Sequence, residues 1–207
     1  MDNDRLDSSI YAAFFNMEHL PFERDLPVDS LCKTTRFTDV IERLKYASDN
    51  QQFAVLTGDI GTGKSTALRA LKGSLDPEKY VVLYVSENNL TPRLLYGIPL
   101  NMLGYKPRPY AKDSRKMFQN AIQAEVTLRH KKVVLIVDEA HLVCANKRYE
   151  TLQEIRFLLN NNCDSDNNIA LILAGQNELW DLLGVEKCRA ITQRINFVCK
   201  LHPLTTD

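Results

Sequence analysis

Glycine and proline are scarce in this 207-residue chain, eight of each. That scarcity excludes collagen-like and low-complexity architectures, and 44% apolar with 25% charged residues excludes a disordered chain. Cysteine occurs only as Cys32, Cys144, Cys163, Cys188 and Cys199, with no C-x-x-C pair and no histidine at metal-ligand spacing. A disulfide framework and a zinc site are therefore not expected, and the pattern fits a reducing compartment. Neither sign of charge is in excess: Lys+Arg and Asp+Glu are 26 each. Binding to nucleic acid through bulk charge is excluded, although a local patch is not. No apolar run approaches the roughly 20 residues of a membrane span. The opening MDNDRLDSSI is acidic where a secretory signal is basic and then apolar, so a cytoplasmic chain without a membrane segment is expected.

What the sequence does contain is an alternation. Short β-branched apolar runs lie at 52–57, 80–85, 133–137 and 169–174, with a weaker one at 197–201. Stretches of helical period separate them: Phe37, Val40, Ile41 and Leu44 share one helical face, as do Leu152, Ile155 and Leu159. Thr91-Pro92 reads as an N-cap followed by proline at the first helical position. Continuous apolar strands alternating with helices predict a parallel sheet covered on both faces, a three-layer α/β/α sandwich of about five strands. The polar stretch 160–168 and the stretch 104–109 read as loops. Residues 1–35, with Leu20-Pro21-Phe22, read as an N-terminal extension before a nucleotide-binding unit at 36–207.

Directly after the first strand stands Gly58-Asp59-Ile60-Gly61-Thr62-Gly63-Lys64-Ser65, which satisfies G-x-x-x-x-G-K-[ST]. A nucleoside triphosphate carries several negative charges that must be neutralised at close range. Glycines let the backbone curl so that successive N–H groups face the phosphates, a lysine supplies a mobile cation, and the last hydroxyl ligates Mg²⁺. Lys64 and Ser65 take those roles here, the following helix adds its N-terminal dipole, and Thr66 is placed to reach the α phosphate. ATP and Mg²⁺ are the expected ligands. The strand at 133–137 ends in Asp138-Glu139-Ala140-His141. Two carboxylates closing an apolar strand are costly unless they face a cation or solvent. Asp138 is the candidate for the Mg²⁺ shell and Glu139 for the base that orients the attacking water; His141 either positions Glu139 or caps the next segment. Lys64 and Asp138 are 74 residues apart, enough for one further strand to be inserted between theirs.

From about Phe14 to Pro203 the chain resembles AAA+ ATPases of the general-secretion-pathway protein A (ExeA) type, a group that overlaps transposon-encoded ATP-binding proteins of the Mu B and TniB kind. The matching stretches are Phe14-Phe15 with Leu20-Pro21-Phe22, LTGDIGTGKSTALRAL (56–71), NLTPRLL (89–95), VVLIVDEAHL (133–142), LQEIRFLLN (152–160), LILAGQNEL (171–179) and QRINFVCKLHPL (193–204). The resemblance implies a sensor-1 residue at the end of the fourth strand, for which Gln176 is chosen. A polar residue restraining the glutamate is implied as well, with Asn88 a weak candidate. It also implies an arginine inserted into a neighbouring subunit's site, Arg194 with Arg189 as rival, and hence a homo-oligomer in the ATP state. The adenine pocket is expected to use Pro21 and Phe22. A helical lid is implied beyond Asp207, so the chain is expected to be the base subdomain without it.

Two roles stay open. One is a DNA transposition helper that binds duplex DNA when loaded with ATP and engages a transposase; the other is a secretion-system component that remodels an envelope complex. A nucleotide-gated switch with negligible turnover of its own is a third. From Tyr105 to Lys116 the chain carries Lys106, Arg108, Lys112, Arg115 and Lys116 against Asp113 alone, with Tyr105 and Tyr110 interleaved. Basic side chains among aromatics suit a phosphate backbone.

Overall fold

The computed structural model describes residues 8–17, 27–30, 33–144, 149–159 and 167–203. The chain divides into two units, residues 1–33 and 34–207. In the first, helix α1 (Ser8–Phe14) is followed by a 3-10 turn at Val28–Ser30. Phe14 and Phe15 pack edge to face there, their ring centroids 4.9 Å apart. Pro21 and Phe22 lie outside the described residues.

The second unit is organised by five parallel strands, β1 (Phe53–Gly58), β2 (Tyr80–Ser86), β3 (Lys132–Asp138), β4 (Ile169–Gly175) and β5 (Phe197–Leu201), in the order β2-β3-β4-β1-β5. Side chains alternate across the sheet, and both faces are apolar. Phe53, Val55, Leu83, Val85, Val133, Leu135, Val137, Leu171 and Leu173 join one core; Ala54, Leu56, Val134, Ile136, Ala170 and Ile172 join the other. This is why the strands read as unbroken apolar runs rather than as alternating ones.

Helices α2 (Thr35–Asp49) and α3 (Lys64–Ser74) cover the second face through Val40, Leu44, Ala67, Leu68 and Leu71. The first face is covered by α4 (Pro92–Met102), α5 (Ala111–Thr127), α6 (Glu150–Leu158), α7 (Glu178–Leu183) and the short α8 (Arg189–Thr192). Local signals set their starts. The Thr34 hydroxyl accepts from the Phe37 N–H at 3.2 Å, and the Thr91 hydroxyl accepts from Leu94 at 3.3 Å ahead of Pro92. Of the anticipated helical faces, Leu152, Ile155 and Leu159 are almost completely buried; on the other, Val40 and Leu44 are buried and Phe37 and Ile41 partly so. The expected three-layer α/β/α sandwich with five parallel strands is the observed fold.

Leu135, in the central part of β3, is fully buried. Leu135→Ala is expected to cost about 3 kcal/mol through lost burial and a residual cavity. Val198→Ala, at a half-exposed position of β5, should cost under about 1 kcal/mol. Urea denaturation of the two variants tests the difference.

Candidate active site

Parallel pairing brings the C-terminal ends of all five strands to one edge of the sheet, where open α/β sheets bind their ligands. The loop leaving β1 is the glycine-rich segment. Gly58 is required there by close approach: a Cβ would stand 2.6 Å from both the Leu201 carbonyl oxygen and the Thr62 hydroxyl. Gly63, at φ 91°, adopts the left-handed conformation that turns the loop into α3. The N–H groups of Ile60, Gly61 and Gly63 make no hydrogen bond to another described residue. The Thr62 hydroxyl donates to the Asp59 carbonyl at 2.8 Å and braces the curl. Lys64 is 8% exposed, its ammonium donating to the carbonyls of Gly58 at 2.9 Å and Asp59 at 2.8 Å. A cation is thus held against the loop, beside unpaired amides and at the uncapped start of α3. That arrangement suits a polyanion. Ser65 is exposed at this helix start and Thr66 is half-buried behind it.

The two motif strands, β1 and β3, are not neighbours, as expected; the strand between them is β4, which follows both motifs in the sequence, whereas β2, the strand within the 74-residue interval, lies at the sheet edge beyond β3. Asp138 continues the alternation of Val134 and Ile136, which places it on the sheet face covered by α3. It is only 4% exposed and has no Lys, Arg or His partner among the described residues. Its Oδ1 accepts from the Glu139 N–H at 2.8 Å and its Oδ2 from the Tyr84 hydroxyl at 2.5 Å. Burial and the hydrogen bond to Asp138 push the Tyr84 phenol well above its ordinary range, so it stays a donor.

A buried carboxylate without a cationic partner fits a divalent metal. No group of three or more metal-ligating side chains occurs among the described residues. A magnesium ion here would therefore have Asp138 and Ser65 from the protein and its remaining ligands from phosphate and water.

Glu139 has φ 53°, a left-handed conformation rare outside glycine, asparagine and aspartate. The bend ends β3 and starts the 3-10 turn Ala140–Cys144. The Glu139 carboxylate lies 3.5 Å from His141 Nδ1 and is partly open to solvent. The same Nδ1 accepts from the Gln176 N–H at 3.3 Å, which ties the end of β4 to the turn after β3. Gly175 permits this approach, since a Cβ there would meet His141 at 3.1–3.2 Å. Asn88, expected to restrain Glu139, is exposed and shares no hydrogen bond with it; His141 is the neighbour instead.

After Gln176, the side-chain amide of Asn177 donates to the Asp59 carboxylate in the glycine-rich loop. Arg194 donates to the Ala190 carbonyl at 2.8 Å, and Arg189 lies 3.9 Å from Glu186. Neither Tyr84 nor the Asn177 bridge stands out in the sequence. Both depend on strand order and register, which no local pattern encodes.

A glycine-rich anion loop between a strand and a helix, with a buried aspartate two strands away, defines the class: a P-loop nucleoside triphosphatase fold. The chain belongs to the AAA domain family, whose model matches residues 47–183. It is 28% identical over 202 residues to General secretion pathway protein A of Aeromonas hydrophila, a match covering 95% of this chain and 35% of that protein. Among solved structures, the ORC2 protein of Aeropyrum pernix in ADPNP–ADP complexes superposes with a TM-score of 0.68 at 15% identity, over 89% of this chain and 52% of that one. Cdc6p of Pyrobaculum aerophilum gives 0.64 at 17% identity, over 89% and 49%. The chain thus spans about a third of the curated relative and about half of these structures, whose likeness is one of fold.

Lys64→Ala removes the loop's buried cation and is expected to abolish ATP binding. Micromolar affinity retained in calorimetry would contradict the assignment of the loop.

Proposed function

We propose that this chain binds ATP with Mg²⁺, hydrolyses it, and serves as a DNA transposition helper that holds duplex DNA in its ATP state. The observation that carries the ATPase reading is the placement, on one sheet edge, of the Lys64 loop and the buried Asp138, which has no Lys, Arg or His partner among the described residues. Residues 58–66 enclose the phosphates. Ser65 and Asp138 hold the metal, which would neutralise charge on the β and γ phosphates. Glu139 orients water and accepts its proton as the water oxygen attacks the γ phosphorus and ADP departs. Gln176, next to the Asn177–Asp59 bridge, faces the developing charge, and Arg194 of a neighbouring copy supplies a further cation.

Support for DNA as partner comes from the exposed basic stretch. Lys106, Arg108, Lys112 and Lys116 are all exposed, as are Tyr105 and Tyr110. Arg115 is different: it pairs with Glu154 at 3.1 Å and lies over the Phe157 ring, so it is engaged within the fold. Arg108, Asp113, Lys116, Met117 and Asn120 line an open depression on this surface of about 380 Å³. The reading as a secretion component rests on the 28% identity to General secretion pathway protein A. No helix among the described residues is long and apolar enough to cross a membrane.

Glu139→Gln is expected to bind ATP as the parent does and to hydrolyse it at least about a hundredfold more slowly, the scale of one general base. Unchanged single-turnover rates would remove Glu139 from that role. With ATP, the protein is expected to retard duplex DNA in gel shifts. For about four phosphate contacts, affinity should fall roughly a hundredfold between 50 and 200 mM salt. Absence of any shift at 50 mM salt would favour the secretion reading.

A further inference from the structure

The proposed metal site includes an aromatic residue from a strand that carries neither motif. Tyr84 pairs in register with Ile136, so Asp138 lies two residues further along the neighbouring strand and on the same sheet face. Such a diagonal exceeds the direct cross-strand spacing but is within reach of an aromatic side chain. The phenol hydroxyl spans it and donates to Asp138 Oδ2 at 2.5 Å. On the other oxygen, Oδ1 accepts the Glu139 N–H at 2.8 Å. Each carboxylate oxygen therefore has one fixed donor, and the rotation of the group is locked. A carboxylate offers about four lone-pair positions; two are used, and the others remain for a ligand.

We propose that Tyr84 is a positioning residue for the metal, aiming the Asp138 carboxylate so that a divalent cation meets a preset oxygen donor. The inference rests on the reading of Asp138 as a metal ligand. It adds that the strength of metal binding is set partly from β2. Hydrogen-bond partners behind a ligating group typically govern metal affinity by 10- to 100-fold. The bond also limits the desolvation cost of a buried carboxylate while no cation is bound.

The same strand provides an internal control. Tyr80, at the start of β2 and level with Lys132 at the start of β3, lies on the same face at the other end of the strand from Asp138, and its hydroxyl donates to the Asp49 carboxylate. Tyr80→Phe therefore removes a bond of the same chemistry without touching Asp138.

The test measures the affinity of a non-hydrolysable ATP analogue by calorimetry with Mg²⁺ and again in EDTA, the ratio giving the coupling between metal and nucleotide. In Tyr84→Phe the ratio is expected to fall about tenfold while the EDTA value and the urea midpoint stay close to those of Tyr80→Phe. Asp138→Asn serves as the reference for loss of the metal ligand. A Tyr84→Phe ratio equal to that of the parent, with Asp138→Asn reduced, overturns the role of Tyr84 and leaves the metal site standing. A ratio unaffected in Asp138→Asn as well overturns the metal reading and this inference with it. Equal losses in the presence and absence of Mg²⁺ would mean that Tyr84 supports the fold of the phosphate loop, which also overturns the proposal.

Discussion

Parallel pairing of five strands is the constraint on which the rest of this molecule depends. Because every strand runs the same way, every C-terminal end opens onto one edge, and each helix must return the chain to the opposite edge before the next strand begins. The order β2-β3-β4-β1-β5 then sets β1 and β3 two strand spacings apart, about 10 Å. That gap separates the Lys64 loop from Asp138, and its width suits phosphate and a metal between them. β4 fills the gap and ends at Gly175, where the missing side chain lets His141 approach. The site is thus a consequence of sheet order before it is a consequence of any single side chain.

The charges at this edge are arranged against stability in isolation. Asp138 is buried without a cationic partner among the described residues, and Glu139 sits in a left-handed conformation. Either feature costs on the order of 1–3 kcal/mol in an ordinary core or turn. Two neutral donors, the Tyr84 hydroxyl and the Glu139 amide, offset part of the carboxylate's lost hydration but leave its charge unbalanced. The opposite excess lies two strand spacings away, where among the described residues the Lys64 ammonium is held by carbonyl oxygens. A ligand bringing both a metal and an anion relieves both imbalances together. This is the physical ground for treating nucleotide and magnesium as one coupled ligand.

Much of this was legible in the sequence, and the reasons are particular. The five strands stood out because both sheet faces are apolar, leaving unbroken runs such as Val133–Val137. The phosphate loop stood out because its geometry needs glycine at fixed places: Gly58 admits no Cβ beside Leu201, and Gly63 has positive φ. Helix starts at Thr34 and Thr91 carry local caps, of which Thr91-Pro92 is the more legible because proline follows the cap. Contacts between strands were not legible. Tyr84 reads as an apolar strand position until register with β3 places it diagonally from Asp138. His141 was open between two roles because its partner, the Gln176 amide, belongs to another strand end. Arg115 read as part of a basic patch, whereas the fold gives it Glu154 and Phe157.

Binding and turnover place different demands on these residues. The groups proposed to grip a triphosphate and its metal, the loop amides, Lys64, Ser65 and Asp138, all belong to this chain. Stabilising the charge of the departing phosphoryl group is another matter, since in related chemistry a further arginine contributes roughly 10³–10⁵ in rate. On the proposed reading that arginine is Arg194 of a second copy. Within its own subunit Arg194 is bonded to Ala190 at the end of α8, directly before the strand that pairs with β1. Turnover would then report assembly, and the bound triphosphate would persist until a second subunit completes the site.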